Sequence, residues 1–474
     1  MFEKIQRLIK AVGKQEYARA SIYYVIANII GQGIVLISSA FFTRMMSKED
    51  YGLVSTYSTW VLVLSTFICL NLFISVRTAY VDFCDDYDNY NSSVLTLSIL
   101  SGIIMTIIIV IITQVSHMRV GIEEVLLACI QAVAVNIINY MLAIQSMKNE
   151  YKQRTFMMIA PNWTHTILSI VLMLIFVGNL YMAKIAGNVV GLTVFGIMCT
   201  VVLFRKASPR IIPNYWKYSL KISVPSIFNT LSDLILMQSD RLMLTTMVGA
   251  AETAEYSVIY NVSSIIIAVY QAINGAWLPW FFAKVKNNGR GDIKRCQKSY
   301  MLIFTVFSCG MMTISPELVK IISPKNYWKG ILYVAPIVIA SYLVFMYTFF
   351  SSYLLYMKRT MRIAVNTLIA ASLNVWMNIL LIPRYKAVGA AMATVIAYTV
   401  LFILHLIAIL KEGKQFFNFK CMWINIASII VFGIIFYLVK DIWVLRYMAF
   451  ILFALVIYLI SGRKMIKEFI GGIR

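Results

Sequence analysis

Long apolar runs fill most of the sequence, and they constrain its fold more than any other feature. A membrane-spanning helix needs roughly 20 predominantly apolar residues, and about fourteen runs approach or exceed that length. They cover residues 21–42, 53–75, 93–112, 125–144, 155–176, 182–204, 219–245, 256–280, 299–314, 331–356, 360–382, 387–410, 422–439 and 442–460. Because lipid cannot satisfy backbone hydrogen bonds, such runs cross a membrane as helices. The sequence therefore predicts an all-α polytopic membrane protein with about 14 transmembrane helices.

The composition excludes the main soluble classes. Hydrophobic residues make up 61% of the 474 and charged residues only 13%, whereas soluble domains hold about 45–50% apolar and about 25% charged residues. The 7 cysteines form no CxxC pair or regular spacing, so they indicate neither a disulfide framework nor a zinc site. A soluble enzyme, a nucleic-acid-binding protein and a secreted disulfide-rich domain are therefore excluded.

The net charge of +22 indicates membrane topology and not a nucleic-acid partner. Lysine and arginine accumulate in cytoplasmic loops, and about 30 of the 42 basic residues lie in loops on the side of the N-terminus. This distribution predicts that both termini are cytoplasmic. The loops on the opposite side are short, which leaves no room for the external domain that membrane glycosyltransferases and polymerases use. We therefore expect that the chain is not an enzyme.

Two short internal matches indicate a repeat with an offset of about 200 residues. Residues 51–55 resemble 254–258, and residues 181–187 resemble 385–391. Since six runs separate the matched segments, both copies enter the membrane in the same orientation, which favours two pseudo-symmetric six-helix lobes. The predicted segments are a basic amphipathic interfacial helix at 1–20, an N-lobe at 21–204, a cytoplasmic linker at 205–217, a C-lobe at 218–410, and two further helices with a basic tail at 411–474.

Ionisable residues inside spans are costly and point to function, and the seventh run contains several of them. Asn229, Asp233 and Asp240 follow one helical face, and Arg241 adjoins Asp240. Asp233 and Asp240 are candidates for ion coupling, and Asn229 and Arg241 for substrate binding. For Asp240 and Arg241, a structural ion pair at the membrane interface is an equal alternative.

The first run carries amides but no acid. Asn28 and Gln32 lie one helical turn apart, where they could bind a sugar-bearing substrate or join neighbouring helices by hydrogen bonds. Arg44 and Arg77 stand at span ends, as Lys184 does. Arginines that face one cavity could hold a diphosphate, whereas snorkelling to the interface is the alternative for each.

No other motif indicates chemistry. The acidic segment from Asp82 to Asp88 is predicted to be a solvated cytoplasmic loop, and the three histidines are scattered. We find no catalytic triad, phosphate-binding loop, dinucleotide fingerprint or metal-ligand spacing. The sequence therefore predicts no catalytic residue, no metal site and no cofactor.

Three segments resemble the polysaccharide repeat-unit flippases of the multidrug/oligosaccharidyl-lipid/polysaccharide exporter superfamily. The first is Phe41 to Gly52, which contains Arg44 and, after the first run, Glu49-Asp50-Tyr51-Gly52. The second comprises Pro225, Asp240-Arg241 and Tyr256-Ser257, and the third runs from Pro383 to Ala391. Two departures are Lys386, where the family has glycine, and Ala254-Glu255, where it often has glycine and an apolar residue.

The resemblance implies a flippase of the bacterial cytoplasmic membrane. It would move undecaprenyl-diphosphate-linked oligosaccharide repeat units across the membrane by alternating access, for capsule, O-antigen or exopolysaccharide synthesis. Its partners would be this lipid-linked substrate, membrane lipids, a polysaccharide polymerase and glycosyltransferases. The alternative is a cation-coupled drug or metabolite antiporter of the same superfamily. The first run lacks the acid that multidrug exporters carry and the arginines of peptidoglycan-precursor flippases, which favours the polysaccharide branch.

Overall fold

The computed structural model describes residues 14–116, 121–176 and 178–472, and in these ranges it contains fourteen α-helices, three short 3-10 helices and no strand. The predicted helix at 1–20 lies mostly outside them. The α-helices are α1 Lys14–Met45, α2 Lys48–Ile68, α3 Ser75–Asp82, α4 Tyr87–Val115, α5 Ile122–Met147, α6 Tyr151–Ile175, α7 Leu180–Lys206, α8 Pro213–Met247, α9 Ala250–Lys286, α10 Arg290–Ile322, α11 Val334–Tyr356, α12 Thr360–Glu412, α13 Phe419–Val439 and α14 Trp443–Gly472.

The predicted all-α polytopic fold is confirmed. In the described part of the chain, 12 helices are long and apolar enough to cross a membrane. The 53-residue helix α12 contains two of the predicted runs, and α14 adds the shorter apolar stretch Trp443–Ile457. The predicted helical runs are therefore all present, although α2 ends at Ile68 rather than near residue 75.

The end of α2 is set by two residues in the left-handed region, Leu70 and Asn71, with φ values of 50° and 55°. Asparagine tolerates this conformation better than most residues. The side chain of Asn71 is buried, and its Nδ2 donates to Ser226 Oγ at 3.2 Å and to Thr230 Oγ1 at 3.0 Å. Asn71 therefore joins the end of α2 to α8 and turns the chain into α3.

Both departures from the family pattern have structural consequences. Lys386 interrupts α12 with φ 50° and ψ −132°, a conformation that glycine adopts far more easily than a residue with a side chain. Glu255 is buried in α9 and forms an ion pair with Lys48 at the start of α2. The lysine therefore strains the break in α12, whereas the glutamate gains a partner of opposite charge.

Unit 1 is the first of two compact units and contains the described residues up to Ser38 together with Leu53–Leu234. In it, α6 packs along α7, and α5 also packs against α7. A buried core forms around Leu72, Tyr90 and Tyr140, the last two from α4 and α5. The segment after α7 is fixed to this unit, because Ser92 Oγ donates to the Ser208 carbonyl at 2.8 Å.

The acidic segment from Asp82 to Asp88 is largely exposed, as predicted, and forms hydrogen bonds with neighbouring helices. Tyr215 donates a hydrogen bond to Asp86, Tyr218 donates one to Asp82, and Lys148 bonds to Asp88. The hydrogen bond from Tyr215 lowers the pKa of Asp86 below its ordinary value of 3.8. Sequence reasoning missed these contacts because the tyrosines lie more than a hundred residues away along the chain.

Unit 2 contains Ser39–Gly52 and the residues from Ile235 onward. In it, α11 packs along α12 and also against α9, while α10 packs against α13. Aromatic side chains fill its interior: the ring centres of Phe304 and Phe345 are 4.0 Å apart, and those of Trp277 and Phe349 are 5.0 Å apart. The predicted lobe boundaries, the repeat and the cytoplasmic termini stay predictions.

Candidate functional site

The amides predicted on the first run line a cavity inside unit 1. This cavity has a volume of about 430 Å³, and both Asn28 and Gln32 lie in its wall. Asn139 from α5 and Asn162 and His165 from α6 add to its polar lining. The i, i+4 spacing of Asn28 and Gln32 puts both side chains on one face of α1. The described residues around the cavity include no carboxylate, lysine or arginine.

A buried polar cluster supports the wall at His165. Its ring nitrogen Nδ1 lies 3.1 Å from Oδ1 of Asn188, which also accepts from Lys184 Nζ at 3.1 Å. Ser169 Oγ lies 3.1 Å from the same oxygen. Sequence reasoning placed Lys184 at a span end and missed Asn188. The i, i+4 pairs 165/169 and 184/188 were the signal that could have revealed one shared cluster.

Unit 2 contains a second polar cluster, which centres on Asp240 in α8. Its side chain is only 1% exposed. Three donors reach the carboxylate: Tyr256 Oη at 2.7 Å, Asn378 Nδ2 at 2.7 Å and Thr394 Oγ1 at 2.6 Å. These donors come from α9 and from the two halves of α12. A buried carboxylate is costly unless hydrogen bonds compensate its lost hydration, and here three do so.

Neighbouring amides extend this cluster. Asn378 Nδ2 also donates to Asn374 Oδ1 at 3.1 Å, and Ser239 Oγ donates to the same oxygen at 2.8 Å. Among the described residues, Asn374 Nδ2 and Asn378 Oδ1 are buried without a hydrogen-bond partner. The cluster therefore offers several oxygen atoms close to one buried carboxylate.

Asp240 and Arg241 do not form the ion pair that the sequence allowed. Arg241 is directed elsewhere: Nη1 donates to Gln238 Oε1 at 2.9 Å, and the guanidinium lies 4.9 Å from the centre of the Tyr260 ring. Its Nε is buried and has no hydrogen-bond partner in the part of the chain that the structure describes. The two adjacent residues therefore belong to different environments.

The other predicted site residues lie apart from these clusters. Arg77 on α3 and Asn229 and Asp233 on α8 are exposed in unit 1. Arg44 in unit 2 donates to the carbonyls of Ala40 at 2.7 Å and Ile321 at 2.6 Å, so it braces the end of α10. Their predicted roles in substrate binding and ion coupling stay predictions. Among the described residues, no group of three or more His, Cys, Asp or Glu could hold a metal ion.

The fold is similar to those of solved membrane transporters. A lipid II flippase MurJ in an inward closed conformation matches with a TM-score of 0.69 and 15% identity, over 95% of this chain and 100% of that chain. An inward-facing multidrug resistance MATE family transporter of the MOP superfamily matches with a TM-score of 0.62 and 13% identity, over 82% of this chain and 99% of that chain. At these identities the likeness establishes the fold.

A further structural match is the MATE multidrug transporter DinF-BH, with a TM-score of 0.59 and 12% identity, over 85% of this chain and 97% of that chain. Comparison with curated protein sequences gives no significant match. The polysaccharide biosynthesis protein family matches residues 17–284, which is more than half of the sequence. The chain is therefore a multi-pass membrane protein with the fold of the MOP superfamily, and it belongs to the polysaccharide biosynthesis protein family.

Proposed function

We propose that the protein is a flippase that moves undecaprenyl-diphosphate-linked oligosaccharide repeat units across the bacterial cytoplasmic membrane by alternating access. The observation that carries this proposal is the amide-lined cavity of unit 1, in a chain of a polysaccharide biosynthesis family. Asn28, Gln32, Asn139 and Asn162 offer both hydrogen-bond donors and acceptors. Sugar hydroxyls need both, and they carry no charge that would require an acid or a base.

The physical problem that such a protein solves is the polar headgroup. Sugars and a diphosphate are too costly to expose to hydrocarbon, whereas a polyprenyl tail stays in lipid. We assign the sugar to the unit 1 cavity and keep Arg44, Arg77 and Arg241 as candidates for the diphosphate. A polymerase and glycosyltransferases would act on the same lipid-linked intermediates, for capsule, O-antigen or exopolysaccharide.

We also propose that Asp240 couples transport to a cation or proton. A buried carboxylate in a spanning helix is a default candidate for this role. The oxygens of Asn374, Asn378 and Thr394 lie next to it, and two amide atoms of the cluster lack partners among the described residues. Asp233 is the second candidate, because it is an ionisable residue within the spanning helix α8.

The proposed function is tested with purified protein in liposomes that contain a fluorescent undecaprenyl-diphosphate-linked oligosaccharide. Loss of fluorescence after addition of a membrane-impermeant quencher measures the fraction of lipid that reaches the outer leaflet. We expect the wild-type protein to accelerate flipping above that of protein-free vesicles. An unchanged rate would contradict the proposed function.

The double variant Asn28→Ala/Gln32→Ala tests the assigned sugar site in the same assay. We expect about a thirtyfold slower rate, since each of the two amides contributes about 1 kcal/mol through its hydrogen bonds. Gln114→Ala is the matched control, because Gln114 is an exposed amide of α4 and does not line the cavity. Equal flipping rates for the double variant and the control would contradict the assignment of the sugar to this cavity.

Drug or metabolite antiport is the alternative, because the fold is also that of multidrug transporters. A cationic drug is best held by a carboxylate, and the described lining of the unit 1 cavity includes none. Uptake of a fluorescent cationic dye by the same liposomes under a sodium or proton gradient separates the two functions. Gradient-driven dye transport without lipid flipping would favour the antiporter.

A further inference from the structure

We propose that Lys184 and Asn188 fix the protonation state of His165, so that His165 presents an unprotonated Nε2 to the unit 1 cavity as a hydrogen-bond acceptor for a saccharide hydroxyl. This inference rests on the proposed function, because it assigns a recognition role within the same cavity. It makes His165 a specificity-determining residue, and it makes Lys184 and Asn188 positioning residues.

The close approach of α6 and α7 brings these three residues together. A Cβ atom at Gly187 would lie 2.4 Å from Ser169 Cα, and one at Gly191 would lie 2.5 Å from His165 Cα. Two glycines one turn apart allow helix backbones to pack this closely in a membrane. Larger residues would push α7 away from α6 and separate Asn188 from His165.

Lys184 determines the orientation of the Asn188 amide. Lys184 Nζ donates a hydrogen bond to the carbonyl oxygen Oδ1 of Asn188 at 3.1 Å, which holds the amide with its oxygen toward the lysine. Lys184 and Asn188 are both buried, which keeps water from competing for this contact. The amide therefore presents an oxygen to α6.

The orientation of Asn188 determines the tautomer of His165. His165 Nδ1 lies 3.1 Å from Oδ1 of Asn188 and can bond to that oxygen only by donating a proton. A second proton on Nε2 would create a charged imidazolium at a poorly hydrated position beside the basic Nζ of Lys184, and both the lost hydration and a nearby positive charge disfavour that form. His165 is therefore a neutral ring that carries its proton on Nδ1.

The remaining nitrogen, Nε2, carries a free lone pair. His165 lines the cavity, and its Nε2 has no hydrogen-bond partner among the residues that the structure describes. An unprotonated Nε2 accepts a hydrogen bond and cannot donate one. It therefore selects a ligand with a hydroxyl donor, as every unmodified sugar has, and it disfavours a group that can only accept.

The protonation state is tested by nitrogen NMR of the full-length protein in lipid nanodiscs, labelled with ¹⁵N-histidine. The sequence has only 3 histidines, and the His165→Gln variant assigns the signal of His165 by its loss. His405 serves as an internal reference, because its Nδ1 lies 3.0 Å from the Leu401 carbonyl oxygen and must also donate. We expect His165 to carry its proton on Nδ1 at neutral pH.

The Lys184→Met variant tests the source of this preference. Without the hydrogen bond from Lys184 Nζ, the Asn188 amide can rotate, and we expect His165 to show a mixture of both tautomers while the His405 signal stays unchanged. A wild-type His165 that is protonated on Nε2 would overturn the proposal. A wild-type tautomer that persists unchanged in Lys184→Met would overturn the role of Lys184.

Recognition is tested in the flipping assay with the same lipid-linked oligosaccharide. Glutamine can place an acceptor oxygen near the position of Nε2, so we expect His165→Gln to flip within about twofold of wild type. We expect His165→Leu to be about tenfold slower, the loss of one hydrogen bond of about 1.4 kcal/mol. Equal impairment of both variants would overturn the acceptor role. If the wild-type protein flips no lipid, the proposed function fails, and the NMR result still decides the tautomer independently.

Discussion

Both units contain a buried polar cluster, and the two clusters differ in what completes their hydrogen bonds. In unit 2, Asp240 is closed off, and three protein donors satisfy its carboxylate. In unit 1, the cluster of Lys184, Asn188 and His165 ends at a cavity. In unit 2, protein donors satisfy the carboxylate of Asp240. In unit 1, the cluster leaves the Nε2 atom of His165 as an acceptor for a ligand in the cavity.

This difference predicts that substitutions in the two clusters affect stability and ligand recognition to different extents. Removing a group from a closed cluster strands its partners without water, and each stranded buried group costs about 1–3 kcal/mol. Removing a group at a cavity wall lets water replace it, so the fold loses little. Substitution of Asp240 should therefore lower stability in addition to any effect on coupling, whereas substitution at the wall of the unit 1 cavity should act mainly on transport.

The largest effect is expected for Asp240→Ala. It leaves the donors Tyr256, Asn378 and Thr394 without their acceptor, and we expect the free energy of unfolding to fall by about 3 kcal/mol. Thermal unfolding of the purified protein, measured by loss of helical circular dichroism, checks this. Asp240→Asn keeps one acceptor oxygen and should lose less. A wild-type melting temperature for Asp240→Ala would contradict the closed cluster.

His165→Leu should show the opposite pattern. It breaks one neutral hydrogen bond, to Asn188, and we expect a loss of only about 1 kcal/mol in unfolding free energy. Its flipping rate should nevertheless fall about tenfold, because the acceptor for the saccharide hydroxyl is gone. Unfolding and flipping measured on the same preparation test the comparison directly. A loss of stability as large as that of Asp240→Ala would remove the distinction between the two clusters.

A gain of stability, of up to about 1 kcal/mol, is expected for Lys386→Gly in unit 2. Glycine relieves the strain at φ 50° and ψ −132°, although its greater freedom in the unfolded chain offsets part of the gain. The break in α12 lies between Asn378 and Thr394, so the substitution also tests whether the Asp240 cluster depends on this geometry. The melting temperature should rise. A fall would show that Lys386 has a contact worth more than its backbone strain.

The smallest effect is expected for Tyr215→Phe in unit 1, at about 0.5 kcal/mol or less, because the contact with Asp86 is partly solvated. Tyr215 lowers the pKa of Asp86, so the stabilisation is present above the ordinary pKa of 3.8 and is lost as the pH falls through the lowered value. Tyr215→Phe should therefore be less stable than wild type at neutral pH and equal to it in strong acid. A difference that does not depend on pH would exclude Asp86 as the cause.

Much of the fold could be predicted from the sequence, and so could half of the unit 1 site. Long apolar runs must become helices in lipid, and the i, i+4 spacing put Asn28 and Gln32 on one face. Asp240 was identified as a costly intramembrane acid. The three residues that donate to Asp240 could not be identified, because up to 154 residues separate them from Asp240 along the chain; they are Tyr256, Asn378 and Thr394.

The sequence by itself determined the all-helical membrane fold and the family, because both depend on local hydropathy and short motifs. Only the tertiary structure decided that Asp240 turns away from Arg241, and that Lys184 is buried beside Asn188 and His165 instead of reaching the interface. The spacing of polar residues along the sequence predicts which face of a helix is polar. Which partner that face meets depends on how closely two helices pack, and here Gly187 and Gly191 set that distance.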